Sequence, residues 1–254
     1  MLLDLCLLSC DLNSIYYEFF PLVKKYWKEK VGIECILILV GRELPHCLLQ
    51  EKESIIMFPP IQGIPTGFQA QCIRLLYPCL LEKYQGIIIS DMDIIPLNSD
   101  FFTKTIRNIE PNTFVIYRDV ISEHNQYPMC YCASSSTTWK NIFKIKIMND
   151  LVETLVQWYT KDDYKISCPY SQMWSQDQLQ LYKYILEYEK KQSTNKVIKF
   201  TDSETNFRRL DRSDIYKLQK QQVKKDINDG IYSDFHLPRP YREHKLLIDD
   251  LLLD

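Results

Sequence analysis

The chain has 254 residues, 46% of them hydrophobic, which is enough for one large domain with a buried core or for two small ones. Its formal net charge is only −2. A surface that binds nucleic acid needs a basic excess, so we expect no nucleic-acid partner. No window approaches the ~18 uncharged apolar residues that cross a membrane, so we expect no transmembrane segment.

Cysteine usage and the amino-terminal segment bear on the compartment. The cysteines number nine, which is odd, and no Cys-x-x-Cys pair occurs, so we expect reduced, mostly buried thiols rather than disulfides or a zinc site. The segment MLLDLCLLSC (1–10) lacks a basic start and carries Asp4 inside its apolar run, which favours a buried strand over a signal peptide. These features together predict a cytoplasmic protein in a reducing compartment.

Short apolar runs alternate with amphipathic segments along the chain. Strands are predicted at 2–9, 33–40, 54–58, 86–90, 113–120, 129–134 and 196–200. Helices are predicted at 13–30, 68–84, 137–161, 175–191 and 212–229, with PPIQGIPTG (59–67) as a loop. The first helix is expected to bend at Pro21 and the second to be interrupted at Pro78. This order predicts an α/β fold, a mostly parallel central sheet flanked by helices. Without a repeat or linker, we expect a single domain over residues 1–254.

The segment GIIISDMDIIPLN (86–98) places two aspartates where a buried strand ends. Ligands of open α/β sheets bind beyond the carboxyl ends of the strands. On an extended chain Asp91 and Asp93 point the same way, with Met92 turned into the packing. Two carboxylates this close repel each other, and a divalent cation with oxygen preference, Mn²⁺ or Mg²⁺, removes that repulsion. The alternative is a solvated acidic turn.

The longer segment RLLYPCLLEKYQGIIISDMDIIPL (74–97) resembles the core of glycosyltransferases with the GT-A fold, above all those of family 8. The resemblance implies a single-domain, Rossmann-like GT-A fold. It also implies that Asp91 and Asp93 bind manganese, which holds the diphosphate of a nucleotide-sugar donor. Arg74 would then lie near the donor. The alternative for Arg74 is a charge on the helix surface.

Two further segments fit the same resemblance. SCDLN (9–13) follows the first strand, where GT-A enzymes bind the nucleotide base, so Asp11 is a candidate to accept from a uracil N–H. A cap of the next helix is the alternative for Asp11. WSQDQLQL (174–181) resembles the family's Asp-Gln pair that faces donor sugar and acceptor, which makes Asp177 and Gln178 candidate catalytic residues. An acid placed at a helix start by the helix dipole is the alternative there.

The tail segment YSDFHLPRPYREHK (232–245) resembles a late family motif, His-x-x-Gly-x-x-Lys-Pro. By that resemblance His236 is a third metal ligand. Arg239 takes the place of the lysine that contacts the diphosphate, and the motif's glycine is absent. Because Pro238 and Pro240 cannot donate backbone hydrogen bonds, we expect a stiff loop rather than a helix or a central strand.

The sequence therefore predicts a metal-dependent glycosyltransferase that uses a nucleotide sugar, with UDP as the expected nucleotide, and a hydroxyl acceptor on a glycan, protein or small molecule. If the enzyme inverts, Asp177 is the candidate base; if it retains, Gln178 would stabilise the anomeric centre. A sugar-1-phosphate nucleotidyltransferase is disfavoured because no glycine-rich loop follows the first strand. A haloacid-dehalogenase-type phosphatase is disfavoured by Ile95, where that class has Thr or Val. A non-catalytic nucleotide-sugar- or glycan-binding domain on the same fold is a further alternative, and the retained Asp-x-Asp of Asp91 and Asp93 argues against it.

Overall fold

The computed structural model describes residues 1–160, 175–191 and 196–252, and its strands form two sheets. The strands are β1 (Leu5–Asp11), β2 (Glu34–Val40), β3 (Ile55–Phe58), β4 (Ile87–Ile89), β5 (Ile94–Pro96), β6 (Phe114–Ile116), β7 (Cys132–Ser134), β8 (Val197–Lys199), β9 (Arg209–Leu210) and β10 (Asp234–His236). The seven-stranded sheet has the order β3-β2-β1-β4-β7-β6-β8. Its neighbours run parallel except at β7, which is antiparallel to β4 and β6. The predicted α/β fold with a mostly parallel central sheet is therefore confirmed.

The central strands are apolar at nearly every position because both faces of the sheet are covered. In β1, Leu5 and Leu7 pack into one core cluster, while Cys6 and Leu8 pack into the cluster on the opposite face. β4 divides its isoleucines in the same way. A strand buried on both faces has no polar side to present, which is why the sequence shows runs rather than alternation.

Helices cover both faces of this sheet. They are α1 (Ser14–Tyr17), α2 (Phe20–Tyr26, continued by a π-helical turn at Trp27–Val31), α3 (Thr66–Leu76), α4 (Ser99–Thr103), α5 (Ser136–Phe143), α6 (Met148–Thr160), α7 (Gln176–Lys191), α8 (Asp202–Thr205), α9 (Lys220–Asn228) and α10 (Tyr241–Leu252). Short 3₁₀ turns lie at His46–Ser54, Tyr77–Leu80, Ser122–His124 and Asp214–Tyr216. None of the helices in the described part of the chain is both long and apolar enough to cross a bilayer.

Three predicted helices differ from the observed ones. The segment predicted at 13–30 breaks before Pro21, which lies in the first turn of α2, where its missing N–H costs nothing. The segment predicted at 137–161 is two helices, since Lys144 ends α5 in the left-handed region at φ 63°; residue 161 lies outside the described residues. In the segment predicted as a helix at 212–229, the α-helix α9 begins only at Lys220, so Arg212 lies in a loop.

The tail segment begins with a strand, Asp234–His236, where the sequence predicted a proline-stiffened loop, and only residues 237–240, which include both prolines, form such a loop. β10 is the central strand of a three-stranded sheet, antiparallel to β5 and parallel to β9. Phe235 at its middle is fully buried. The strand ends before Pro238, so both prolines fall in the turn that leads to α10 and remove no hydrogen bond from the ladder. This pairing sets His236 opposite Ile94, and so beside Asp93.

The cysteines in the described part of the chain are free thiols. Seven of these eight are buried, and Cys47 is exposed. Cys168 lies outside the described residues. Cys6 and Cys35 are register partners on β1 and β2, and burial raises the pKa of the Cys6 thiol well above its ordinary value.

Candidate functional site

A cavity of about 520 Å³ opens at the carboxyl ends of β1 and β2, the edge where α/β sheets bind ligands. Asp11 lines it. Its Oδ2 accepts a hydrogen bond from Thr66 Oγ1 at 2.8 Å, and its Oδ1 accepts from the backbone N–H of Asn13 at 3.1 Å. The cap of α1 is Asn13, whose side chain accepts from the backbone N–H of Ile15. Asp11 is therefore not a helix cap but an anchored carboxylate at the cavity wall.

The two aspartates after β4 share this edge of the sheet but have different partners. Met92 between them is buried in the core, as strand alternation predicts. Asp91 forms an ion pair with Arg74. Asp93 faces Arg212, Arg239 and His236. The motif is thus not a solvated turn: Asp93 is 5% exposed, and the two carboxylates belong to two different charged clusters.

The first cluster joins α3, the end of β4 and the start of α7 through Arg74. Arg74 donates from Nη2 to Asp177 Oδ2 at 2.8 Å and from Nη1 to Asp91 Oδ1 and to the carbonyl oxygen of Ser90. Gln71 precedes Arg74 on the same face of α3, and its Nε2 donates a hydrogen bond to Asp177 Oδ1 at 3.1 Å. The Arg74 side chain is only 12% exposed, so it is not a surface charge.

Burial and the ion pairs shift the pKa values in this cluster in opposite directions. Burial raises the pKa of Asp177 above its ordinary value, although the charge of Arg74 opposes that effect. Burial acts the same way on Asp91, but there the charge of Arg74 prevails and the pKa is lowered. Burial would lower the pKa of Arg74, and the charges of Asp91 and Asp177 raise it instead. Arg74 therefore stays charged between the two carboxylates.

The second cluster brings residues from distant parts of the chain to Asp93. Its Oδ2 accepts from Arg212 Nη2 at 2.8 Å and lies 3.4 Å from both Arg239 Nε and His236 Nε2. Arg212 Nη2 also contacts His236 Nε2. The backbone N–H of Leu237 donates to the carbonyl oxygen of Asp93 at 2.8 Å, which ties the tail directly to this residue.

Asp211 and Tyr16 lie outside the second cluster and hold two of its side chains, the imidazole of His236 and the guanidinium of Arg239, in place. His236 Nδ1 lies 3.1 Å from Asp211 Oδ2. Burial would raise the pKa of Asp211, but hydrogen bonds from the backbone of Ser213 and from His236 lower it to about 2. Arg239 donates to the hydroxyl of Tyr16 and stacks over its ring, 5.2 Å from the centroid. Such an orienting carboxylate behind a histidine is typical of sites where the other ring nitrogen binds a ligand.

A buried polar network lies under β10. Asp234 Oδ2 accepts from Tyr131 Oη at 2.6 Å and from Arg209 Nη2 at 2.6 Å. Asp234 is fully buried and so requires these charged and hydroxyl partners. The network fixes the strand that carries His236.

Sequence reasoning missed Arg212, Asp211, Tyr16 and Gln71. Arg212 was missed because the helix predicted at 212–229 included it. In that helix it would be one of several basic residues on a polar, exposed face. A signal was present in the strand–loop pattern of RLDRSD (209–214), but a two-residue strand is too short to be recognised by periodicity. The described contacts of Gln178 involve only its backbone, which donates to Asp177 Oδ1 at 2.8 Å.

Asp91, Asp93 and His236 have side chains of the kinds that bind a divalent cation, but arginines now contact the atoms that would bind it. Asp93 Oδ2 and His236 Nε2 lie 3.4 Å apart, a spacing open to two ligands that are each roughly 2.1 Å from one ion. Arg212 contacts both of these atoms, and Arg74 engages Asp91. Within the described ranges, no three His, Cys, Asp or Glu side chains form a group arranged to hold a metal ion. A cation would fit only after Arg212 moves.

Solved glycosyltransferases share this fold at low sequence identity. The apo form of the glycosyltransferase GlyE from Streptococcus pneumoniae TIGR4 matches with a TM-score of 0.52 and 11% identity over 99% of this chain and 60% of that one. A glycosyltransferase involved in the glycosylation of the major capsid of PBCV-1 matches with a TM-score of 0.50 and 10% identity, covering 97% of this chain and 99% of that one. The bifunctional glycosyltransferase WbbM matches with a TM-score of 0.50 and 8% identity, covering 99% of this chain and 50% of that one.

The chain spans about 60% of the length of GlyE and half the length of WbbM. No protein-family model matches the sequence, and no curated protein matches it either. At identities this low the likeness concerns the fold. Membership of family 8 and a metal-binding role for Asp91 and Asp93 stay predictions.

Proposed function

We propose that the protein is a glycosyltransferase that binds a nucleotide sugar, with UDP as the expected nucleotide, and transfers its sugar to a hydroxyl acceptor. The observation that carries the proposal is the convergence of Arg212, His236 and Arg239 on Asp93, which follows β4 at the carboxyl edge of the sheet. A diphosphate needs cationic, hydrogen-bonding partners, and arginine forks provide them. The fold shared with glycosyltransferases supports the same reading.

The nucleotide is proposed to lie in the cavity lined by Asp11. The cavity lies beside α1, whose Tyr16 contacts Arg239, so a nucleotide placed there has its diphosphate close to the second cluster. Asp11 keeps acceptor capacity beyond its bonds to Thr66 and Asn13, since each ionised carboxylate oxygen offers two lone pairs. We propose that the Asp11 carboxylate accepts a hydrogen bond from an N–H group of the base.

Each charged residue has a proposed task at the reaction centre. Arg239 and Arg212 would bind the diphosphate and stabilise the charge that develops on it as the bond to the anomeric carbon breaks. Asp177 has its oxygens engaged by Arg74, Gln71 and the backbone of Gln178, so we propose that it positions Arg74 rather than acts as the base. Gln178 stays the predicted residue for stabilising the anomeric centre.

A divalent cation, Mn²⁺ or Mg²⁺, is part of the proposal as a partner of Asp91, Asp93 and His236. Carboxylates and a neutral imidazole are a donor set that Mn²⁺ accepts. The cation would supply positive charge against the diphosphate. In this proposal Arg212 and Arg239 would orient the donor through its diphosphate.

Because Arg212 occupies the would-be cation position, a nucleotide-sugar-binding protein without turnover is the second candidate. Calorimetric titration with UDP-sugars and other nucleotide sugars, with Mn²⁺ and with a chelator, tests the proposal. Binding accompanied by release of a nucleoside diphosphate supports a transferase. Binding without release supports the second candidate, and no binding of any nucleotide sugar contradicts both.

A further inference from the structure

We infer that the guanidinium of Arg212 and a divalent cation exclude each other at Asp93 and His236, so that Arg212 holds the site closed to metal until a ligand draws it away. This inference deepens the proposed function and rests on it for the identity of that ligand, the diphosphate of the donor. The exclusion itself rests on the contacts of Arg212 alone.

One nitrogen of Arg212 contacts both atoms that a cation would use. Arg212 Nη2 donates to Asp93 Oδ2 at 2.8 Å and contacts His236 Nε2. A guanidinium nitrogen can only donate, so Nε2 must accept. The proton of a neutral imidazole then lies on Nδ1, which faces Asp211 Oδ2 at 3.1 Å. This is the tautomer that leaves the Nε2 lone pair for a metal, and Arg212 covers it.

Asp93 requires a positively charged partner whether or not a metal ion is bound. Its side chain is 8% exposed, and a carboxylate buried to that degree is costly unless it is paired. Arg239 Nε lies farther from Asp93 Oδ2, at 3.4 Å, and Arg239 also donates a hydrogen bond to the hydroxyl of Tyr16. Arg212, at 22% exposed and on the loop after β9, is the partner that neutralises Asp93 in the absence of metal.

The diphosphate of the donor offers Arg212 a second partner. A diphosphate accepts the paired N–H groups of a guanidinium as well as a carboxylate does. When Arg212 leaves Asp93 and binds the diphosphate of the arriving donor, the side chains of Asp93 and His236 become available to a cation. Metal and nucleotide then bind better together than separately, by linkage. Free metal alone binds weakly.

The test measures Mn²⁺ alone, by calorimetry, on the full chain. Since Mn²⁺ must displace a hydrogen bond between two charged groups in the unmodified protein, Arg212→Leu should bind Mn²⁺ at least about tenfold more tightly. The matched control is Arg208→Leu, an exposed arginine on the same stretch of chain and outside the cluster, which should leave Mn²⁺ affinity unchanged. Equal or weaker Mn²⁺ binding by Arg212→Leu overturns the inference.

Two further measurements keep the test decisive if the first variant is poorly folded. Arg212→Gln keeps a polar side chain, and Mn²⁺ should raise its melting temperature more than it raises that of the unmodified protein. Adding Asp93→Asn to Arg212→Leu should abolish the gain in Mn²⁺ affinity, and a gain that persists places the ion elsewhere and overturns the inference. Failure of the proposed function would appear instead as an absence of nucleotide-sugar binding.

Discussion

Asp93 is the residue at which two distant segments of the chain converge, because Arg212 from one and His236 and Arg239 from the other all face its Oδ2. The side chain is buried, so its charge acts strongly on these neighbours. An asparagine has nearly the same shape and lacks the charge. The residue therefore separates the electrostatic role of the cluster from its packing role.

We expect Asp93→Asn to fold and to lose at least about tenfold in affinity for a nucleotide sugar in the presence of Mn²⁺, the lower end of the effect of disturbing a metal site. Calorimetry measures the affinity. Asp100→Asn, at an exposed aspartate paired with Lys104, is the control and should bind normally. Unchanged affinity in Asp93→Asn would remove this residue from the site.

Arg74 stabilises the fold by separating two carboxylates. Arg74→Leu should lower the free energy of unfolding by about 3–5 kcal/mol at pH 7, because Asp91 and Asp177 are left without their cation. Denaturant unfolding gives the value. Adding Asp177→Asn should recover part of the loss, whereas losses that simply add would show that the pair is not coupled.

The same variant should be sensitive to pH in a defined direction. Burial already raises the pKa of Asp177, and removing Arg74 raises it further. An acid whose folded pKa lies above its unfolded pKa destabilises the fold as pH rises from about 4 through the folded value. The deficit of Arg74→Leu should therefore be small near pH 4 and full at neutral pH. A deficit that grows in acid would contradict this assignment.

Asp211 should show the opposite dependence. Its pKa is lowered from 3.8 to about 2, so its contribution to stability is complete above pH 4 and disappears as pH falls towards 2. The side chain is 41% exposed, so we expect Asp211→Asn to cost about 1 kcal/mol at neutral pH rather than the full shift. Unfolding curves of the two proteins should converge in acid, and a constant gap would show that the hydrogen bonds to Asp211 do not cause its lowered pKa.

At the scale of elements, β10 combines a structural and a functional task. Phe235 is fully buried between β5 and β9, and His236 next to it faces Asp93. Phe235→Ala should lower the free energy of unfolding by about 3–5 kcal/mol through the lost burial and the cavity. Leu246→Ala in α10, at 85% exposure, should change it by less than about 0.5 kcal/mol. A mild effect at Phe235 would mean that the tail only braces the surface.

The elements divide into those that the sequence predicts and those that it does not. β1, β2 and β4 were predictable because runs such as CILILV are long and apolar at every position, as a parallel sheet requires. β9 has two residues and β10 three, too few to show a period. Their pairing is decided by the burial of Phe235 and Leu210, which is a tertiary effect. That pairing, in turn, determines which residues reach Asp93.

At the scale of the whole molecule, the site divides in the same way. Asp11, Asp91 and Asp93 follow the ends of predicted strands, so their shared edge could be predicted from the sheet. His236 and Arg239 were placed there by family resemblance alone. Arg212 could not be found, because its loop follows a strand of two residues, which is too short to be recognised by periodicity. The missing residue is the one whose contacts decide whether a cation can bind.

The central claim is that the converging clusters at the carboxyl edge of the sheet transfer a sugar from a nucleotide-sugar donor. The most direct measurement is a screen of nucleotide sugars for release of the nucleoside diphosphate, with Mn²⁺ present, by the unmodified chain and by Asp93→Asn. The account predicts release from at least one donor, at a rate that Asp93→Asn lowers by at least about a hundredfold, the scale of losing a key charge-stabilising group. Release that Asp93→Asn leaves unchanged, or no release from any donor, would contradict it.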